Sequence, residues 1–115
     1  SILDNWSSRD LIRNEISSCL SPDTSSDNLQ KAVSGIQQIF AKENKVQSYS
    51  VFLQEISRES ATILSIYFTA LSLPADEANF LKQEIYINIR KLMEQLNIQP
   101  SNSSVVNLVN RVDQH

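Results

Sequence analysis

The sequence predicts an all-α fold, an antiparallel helical bundle of four principal helices plus a short C-terminal helix. Among 115 residues there are only one Gly and three Pro, whereas all-β domains need these residues at their many turns. Apolar residues recur at helical spacing in each long segment. The length suits one core, so we expect residues 1–115 to form a single helical-bundle domain.

The first helix is expected at residues 8–20, after an N-terminal arm at residues 1–6. Ser7 and Asp10 resemble a capping box, and Ile12, Ile16 and Leu20 recur every four residues. Ser21-Pro22 ends the segment, because proline disfavours helical backbone at the residue before it.

The second helix is expected at residues 27–41, where a polar stretch supplies capping hydroxyls. Gly35 lies on the polar side of this helix and costs about 1 kcal/mol relative to Ala. The apolar face is continuous at i, i+3, i+4 and i+7 spacing and comprises Leu29, Ala32, Val33, Ile36, Ile39 and Phe40.

The third helix is expected at residues 50–72 and contains the uncharged run SATILSIYFTALSLP. A membrane span needs about 20 predominantly apolar residues, and this run is shorter and interrupted by Ser and Thr. At helical spacing its polar residues fall on one narrow side. The pattern therefore predicts the central helix of a soluble bundle and no membrane span.

The fourth helix is expected at residues 75–97, following the break at Leu73-Pro74. Such a short connection makes helices three and four antiparallel neighbours. Its main stripe comprises Ala78, Leu81, Ile85, Ile89, Leu92 and Leu96. A short fifth helix is expected at residues 103–112, with an apolar stripe of Val105, Leu108, Val109 and Val112.

The sequence predicts no catalytic, metal or cofactor site. One histidine, His115, and one cysteine, Cys19, cannot build a His/Cys metal cluster or a histidine-dependent triad. Phosphate-binding loops need several glycines, and Gly35 stands alone. We therefore expect a protein that is not an enzyme.

The charge pattern gives no basic face for a nucleic acid. The net charge is −3, and the Lys and Arg residues are interspersed with acids, which makes nucleic-acid binding unlikely. A single cysteine and the absence of a signal-peptide pattern predict an intracellular, cytoplasmic protein.

One feature of the fourth helix has functional content. Phe80 and Ile87 lie seven residues apart, nearly opposite the main stripe, with Glu84 and Lys91 beside them and Tyr86 at the margin. Two interpretations stay open. Another element of the bundle covers the pair, or the pair is exposed and binds another protein or a second copy of the chain.

The predicted function is therefore a non-enzymatic protein–protein interaction or regulatory module, self-associating as a dimer through the fourth helix. One alternative is a small-molecule or lipid sensor, which predicts an apolar cavity lined by Tyr67 and its neighbours. A further alternative is a nucleic-acid-associated regulatory factor.

Overall fold

The computed structural model describes residues 11–100 and contains two helices and a three-stranded antiparallel sheet. The predicted all-α bundle is therefore wrong, and the fold is of the α/β type. In chain order the elements are β1 (Leu11–Leu20), α1 (Ser26–Ala41), β2 (Val46–Ile56), β3 (Ala61–Ala70) and α2 (Ala75–Gln95). The predicted N-terminal arm at 1–6 and the predicted helix at 103–112 lie outside the described residues.

The sheet has the strand order β1-β3-β2, with β3 in the centre. β1 pairs with β3 in one unbroken register, from Leu11 opposite Ala70 to Leu20 opposite Ala61. β2 also runs antiparallel to β3, but its register shifts near each end, between Val46 and Ser48 and between Leu53 and Glu55. β2 is therefore an irregular edge, whereas β1 is a straight one.

The first predicted helix is wrong because its spacing is ambiguous. Ile12, Ile16 and Leu20 are four residues apart, which is one helical turn but also twice the period of a strand. In β1 all three lie on the same face of the sheet, and Ile16 and Leu20 are buried in the core. Asn14 and Ser18 lie between them on the same face of the strand, so the apolar residues fit both a helical and a strand pattern.

The predicted third helix at 50–72 is also wrong, and it contains parts of two strands, β2 and β3. The turn between them uses no Gly or Pro. The backbone N–H of Ser57 donates to the carbonyl oxygen of Ser60 at 2.8 Å. The Ser57 hydroxyl oxygen accepts from the backbone N–H groups of Glu59 (3.2 Å) and Ser60 (3.3 Å). A serine side chain thus supplies the turn's hydrogen bonds.

The two helices cover one face of the sheet and pack on each other. Residues of β3 alternate strictly, so Ala61, Ile63 and Tyr67 lie on the helix side. The core on this side also includes Ile16, Leu20, Leu29, Ala32, Ile36, Phe40, Val51, Leu81, Ile85, Ile89, Met93 and Ile98. Phe40 stacks on Tyr67 with ring centroids 5.2 Å apart, which joins α1 to the central strand.

Local signals explain the ends of both helices. The Ser25 hydroxyl caps α1 by accepting from the backbone N–H of Asn28 at 3.1 Å. At the end of α2, Asn97 has a left-handed φ of 57°. The Ile98 N–H then donates to the Met93 carbonyl at 2.9 Å, which is a Schellman ending.

This ending turns the chain back towards the sheet. The Ser21 N–H donates to the Gln99 carbonyl oxygen at 2.8 Å, and Leu20 and Pro100 form an antiparallel bridge. Within residues 11–100, neither helix is long and apolar enough to cross a membrane.

Candidate interaction surfaces

The outer face of α2 carries two exposed apolar side chains. Phe80 is 58% exposed and Ile87 is 42% exposed, while Leu81, Ile85 and Ile89 on the opposite side are buried. The sequence left open whether Phe80 and Ile87 are covered or exposed. In the part of the chain that the structure describes, both side chains are exposed. We call Phe80 and Ile87, with Glu84 and Lys91 beside them, the outer face of α2.

The structure separates Tyr86 from these residues. Successive residues of a helix are rotated by about 100°, so Tyr86 lies well to one side of Ile87. Its half-exposed ring instead borders a groove between α2 and the edge strand β1. Of the five predicted partner-binding residues, four share the outer face and Tyr86 does not.

The groove beside β1 has a volume of about 540 Å³. Residues 17–20 of β1 form one wall, Tyr86, Arg90 and Met93 of α2 form another, and residues 97–100 close one end. Its lining is mixed, with apolar side chains such as Leu20, Ile89 and Met93 beside the polar Ser17, Arg90 and Glu94. The sequence could not predict this groove, because placing α2 beside β1 depends on a strand that the pattern assigned to a helix.

Tyr67, around which the sequence predicts a ligand cavity, is packed in the core. Tyr67 is only 2% exposed and does not line the groove beside β1. Its ring is packed against Phe40, and Phe40 also stacks on Tyr49 with centroids 5.7 Å apart. Burial raises the pKa of Tyr67, with a smaller contribution from Tyr86 in the same direction. The aromatic residues thus form core contacts.

The face of the sheet away from the helices has an apolar centre. Leu64 is 8% exposed although it lies outside the main core, and Phe52, its partner on β2, is 41% exposed. Ile66 and Phe68 continue the same row along β3, half-buried. Helical spacing could not predict this surface, because strand alternation defines it.

Charged groups form isolated surface ion pairs. Lys31 bonds Asp27 one turn earlier at 3.0 Å, Lys45 reaches Glu77 at 3.4 Å, and Arg13 pairs with Glu15 on β1. Cys19 is half-buried with its Sγ 3.9 Å from Thr62 Oγ1. Within residues 11–100, no three His, Cys, Asp or Glu side chains are placed to hold a metal ion.

Comparison with known proteins adds no family. No protein-family model matches the chain, and no curated protein matches it.

Proposed function

We propose that this domain binds another protein through the outer face of α2 and itself performs no catalysis. The observation that supports this is the exposure of Phe80 and Ile87 on the side of α2 turned away from the core. Burying a large apolar side chain fully contributes about 1.5–3 kcal/mol. Because roughly half of each side chain is still accessible, a partner that covered both would gain on the order of 1 kcal/mol from each.

The spacing of the two residues suits a groove on the partner. Seven residues of helix span about 10.5 Å, so Phe80 and Ile87 lie two turns apart and enter one apolar groove from the same direction. This is how amphipathic helices anchor in grooves. Glu84 and Lys91 flank the pair and act at the rim, where charges set register and association rate more than affinity.

The two alternative functions receive less support. A ligand sensor was expected to hold its ligand around Tyr67, and that side chain is fully packed. A nucleic-acid factor needs a contiguous basic surface. Lys31 on α1, Lys45 in the α1–β2 connection and Arg13 on β1 each pair with a carboxylate.

The test is Ile87→Asp with Ile56→Asp as the matched control. Both changes place the same charge at an exposed isoleucine, because Ile56 at the end of β2 is 60% exposed. Proteins captured from a cell lysate by the tagged full chain are compared for the wild type and both variants. We expect Ile87→Asp to lose captured partners that Ile56→Asp keeps, and both to unfold near the wild-type temperature.

Two outcomes contradict the proposal. If the two variants capture the same proteins as the wild type, the outer face of α2 is not the binding surface. If Ile87→Asp unfolds several degrees earlier than Ile56→Asp, another part of the chain covers Ile87, because burying an unpaired charge is costly.

A further inference from the structure

Within residues 11–100, only the end of the edge strand β1, at the Leu20–Pro100 bridge, is paired on its outer side. Natural edge strands are blunted by bulges, prolines, charged side chains (lysine above all) or a covering element, and the charges of β1, Arg13 and Glu15, pair with each other. β2, the other edge of the described sheet, has two register shifts, whereas β1 pairs with β3 without a shift over ten residues. It contains neither Pro nor Lys. The side chain of Ile12 on this strand is 41% exposed.

The bridge at the end of β1 identifies which backbone groups of the strand face away from β3. Leu20 lies opposite Pro100, and the Ser21 N–H donates to the Gln99 carbonyl, so Leu20 and Pro100 are a non-hydrogen-bonded pair. Hydrogen-bonded and non-hydrogen-bonded pairs alternate along an antiparallel strand. The residues at odd positions, Leu11, Arg13, Glu15, Ser17 and Cys19, therefore turn their N–H and C=O groups outward.

We propose that a second copy of this chain pairs with this edge, β1 against β1 and antiparallel, about a twofold axis through Asn14. Arg13 of each copy then lies opposite Glu15 of the other, at positions whose backbone groups both face outward. Ile12 lies opposite Ile16 of the second copy, in a non-hydrogen-bonded pair where side chains are closest. The two sheets become one continuous six-stranded sheet.

Charge selects this register over the neighbouring symmetric ones. An axis at Arg13 or at Glu15 places like charges directly opposite each other, which destabilises a strand pair. An axis at Ile16 requires Ile12 to pair with Leu20, whose edge is already taken by Pro100. The axis at Asn14 makes two opposite-charge pairs and leaves the Leu20–Pro100 bridge intact.

This dimer is independent of the proposed partner surface. The outer face of α2 lies on the opposite side of that helix from the sheet, so it stays available in both copies. Failure of the Ile87→Asp experiment therefore leaves the dimer untouched, and the reverse also holds.

The first test reverses the charges and measures molar mass by size exclusion with light scattering. The wild type should be a dimer. Arg13→Glu makes both positions acidic and Glu15→Arg makes both basic, so each variant alone should dimerise about tenfold more weakly or worse. An equal mixture of the two variants should recover dimers as heterodimers, and the double variant Arg13→Glu/Glu15→Arg should dimerise like the wild type.

The second test places one cysteine at the axis. In a Cys19→Ser background, Asn14→Cys puts the two thiols at a pair with Cα atoms about 4.5 Å apart, within disulfide range. Ile12→Cys is the control, because the two copies of position 12 lie four residues out of register, about 13 Å apart. Mild oxidation should link Asn14→Cys chains as dimers and leave Ile12→Cys chains unlinked.

Three results overturn the proposal. They are a wild type that is monomeric at all concentrations tested, a mixture of charge variants that recovers no dimer, and equal cross-linking at positions 12 and 14. A wild-type monomer in which the outward-facing amides of Arg13, Glu15 and Ser17 resist hydrogen exchange is one form of the first result, and it means that another part of the same chain pairs with this edge.

Discussion

Replacing Gly35 by alanine tests how closely the two helices approach each other. A Cβ atom at Gly35 would lie 2.6 Å and 2.7 Å from the two methyl carbons of Leu92 and 3.2 Å from its Cγ. Because all three carbon atoms of the branched end are too close, rotating the methyl groups does not relieve the contact. The whole Leu92 side chain or the α1–α2 spacing must shift.

Two opposing effects set the magnitude. Replacing glycine by alanine inside a helix raises the free energy of unfolding by about 1 kcal/mol. Overpacking a well-packed contact lowers the free energy of unfolding by about 1–3 kcal/mol. We therefore expect Gly35→Ala to lower the free energy of unfolding by about 0–2 kcal/mol. In a Leu92→Ala background the contact is gone, and the same change should raise the free energy of unfolding by about 1 kcal/mol.

The assay is urea unfolding followed by circular dichroism for the four members of this double-mutant cycle. The coupling between the two positions should be about 1–3 kcal/mol, and the sign of the Gly35→Ala effect should reverse. If Gly35→Ala stabilises the wild type by the full helical gain of about 1 kcal/mol, the close approach of Leu92 is not real.

Two further predictions concern buried polar groups of β3. Ser65 is 0% exposed and its hydroxyl has no hydrogen-bond partner among the described residues, so Ser65→Ala should raise the free energy of unfolding by about 1 kcal/mol; a clear loss in urea unfolding would contradict this. Burial, and to a lesser degree Tyr86, raises the pKa of Tyr67 above the ordinary value of 10.0. As pH rises, the unfolded chain therefore loses the Tyr67 proton before the folded chain does. The free energy of unfolding should be unaffected by this group below about pH 10 and should fall above pH 10. Tyr67→Phe should flatten that fall in unfolding measured from about pH 8 to pH 11, and an unchanged fall would refute the linkage.

The helices were the part of the fold that the sequence determined by itself. Leu29, Ala32, Val33 and Ile36 combine spacings of three and four, which no strand reproduces, and they lie in α1. Ser25, one of the hydroxyls available as an N-cap, begins the helix as local chemistry predicts. A period of 3.6 residues per turn is enough to predict that Phe80 and Ile87 lie on the opposite side of the helix from Ile85. In α2 Ile85 is buried, and Phe80 and Ile87 are exposed.

The strands were not determined in this way, because their apolar residues recur every four positions. The spacing of Ile12, Ile16 and Leu20 fits a helix and a strand equally well. Ile63 and Tyr67 in β3 are also four residues apart and fit both patterns. Composition was misleading as well. Few Gly and Pro residues argued against turns, but Ser57 provides the hairpin's hydrogen bonds with its side chain. The β-branched and aromatic content of ATILSIYFTA, which is typical of strands, was the signal that would have corrected the prediction.

Only the tertiary structure decided which of these residues face solvent and which surfaces they build together. Strand pairing joins residues distant in sequence, so β3 becomes the central strand and β1 an edge strand of the described sheet. Neither property is encoded within a single segment. The packing of α2 beside β1 brings Ser17 and Tyr86 to the same groove. Local periodicity fixes the direction of a side chain relative to its own element, while the element opposite determines whether that side chain is buried.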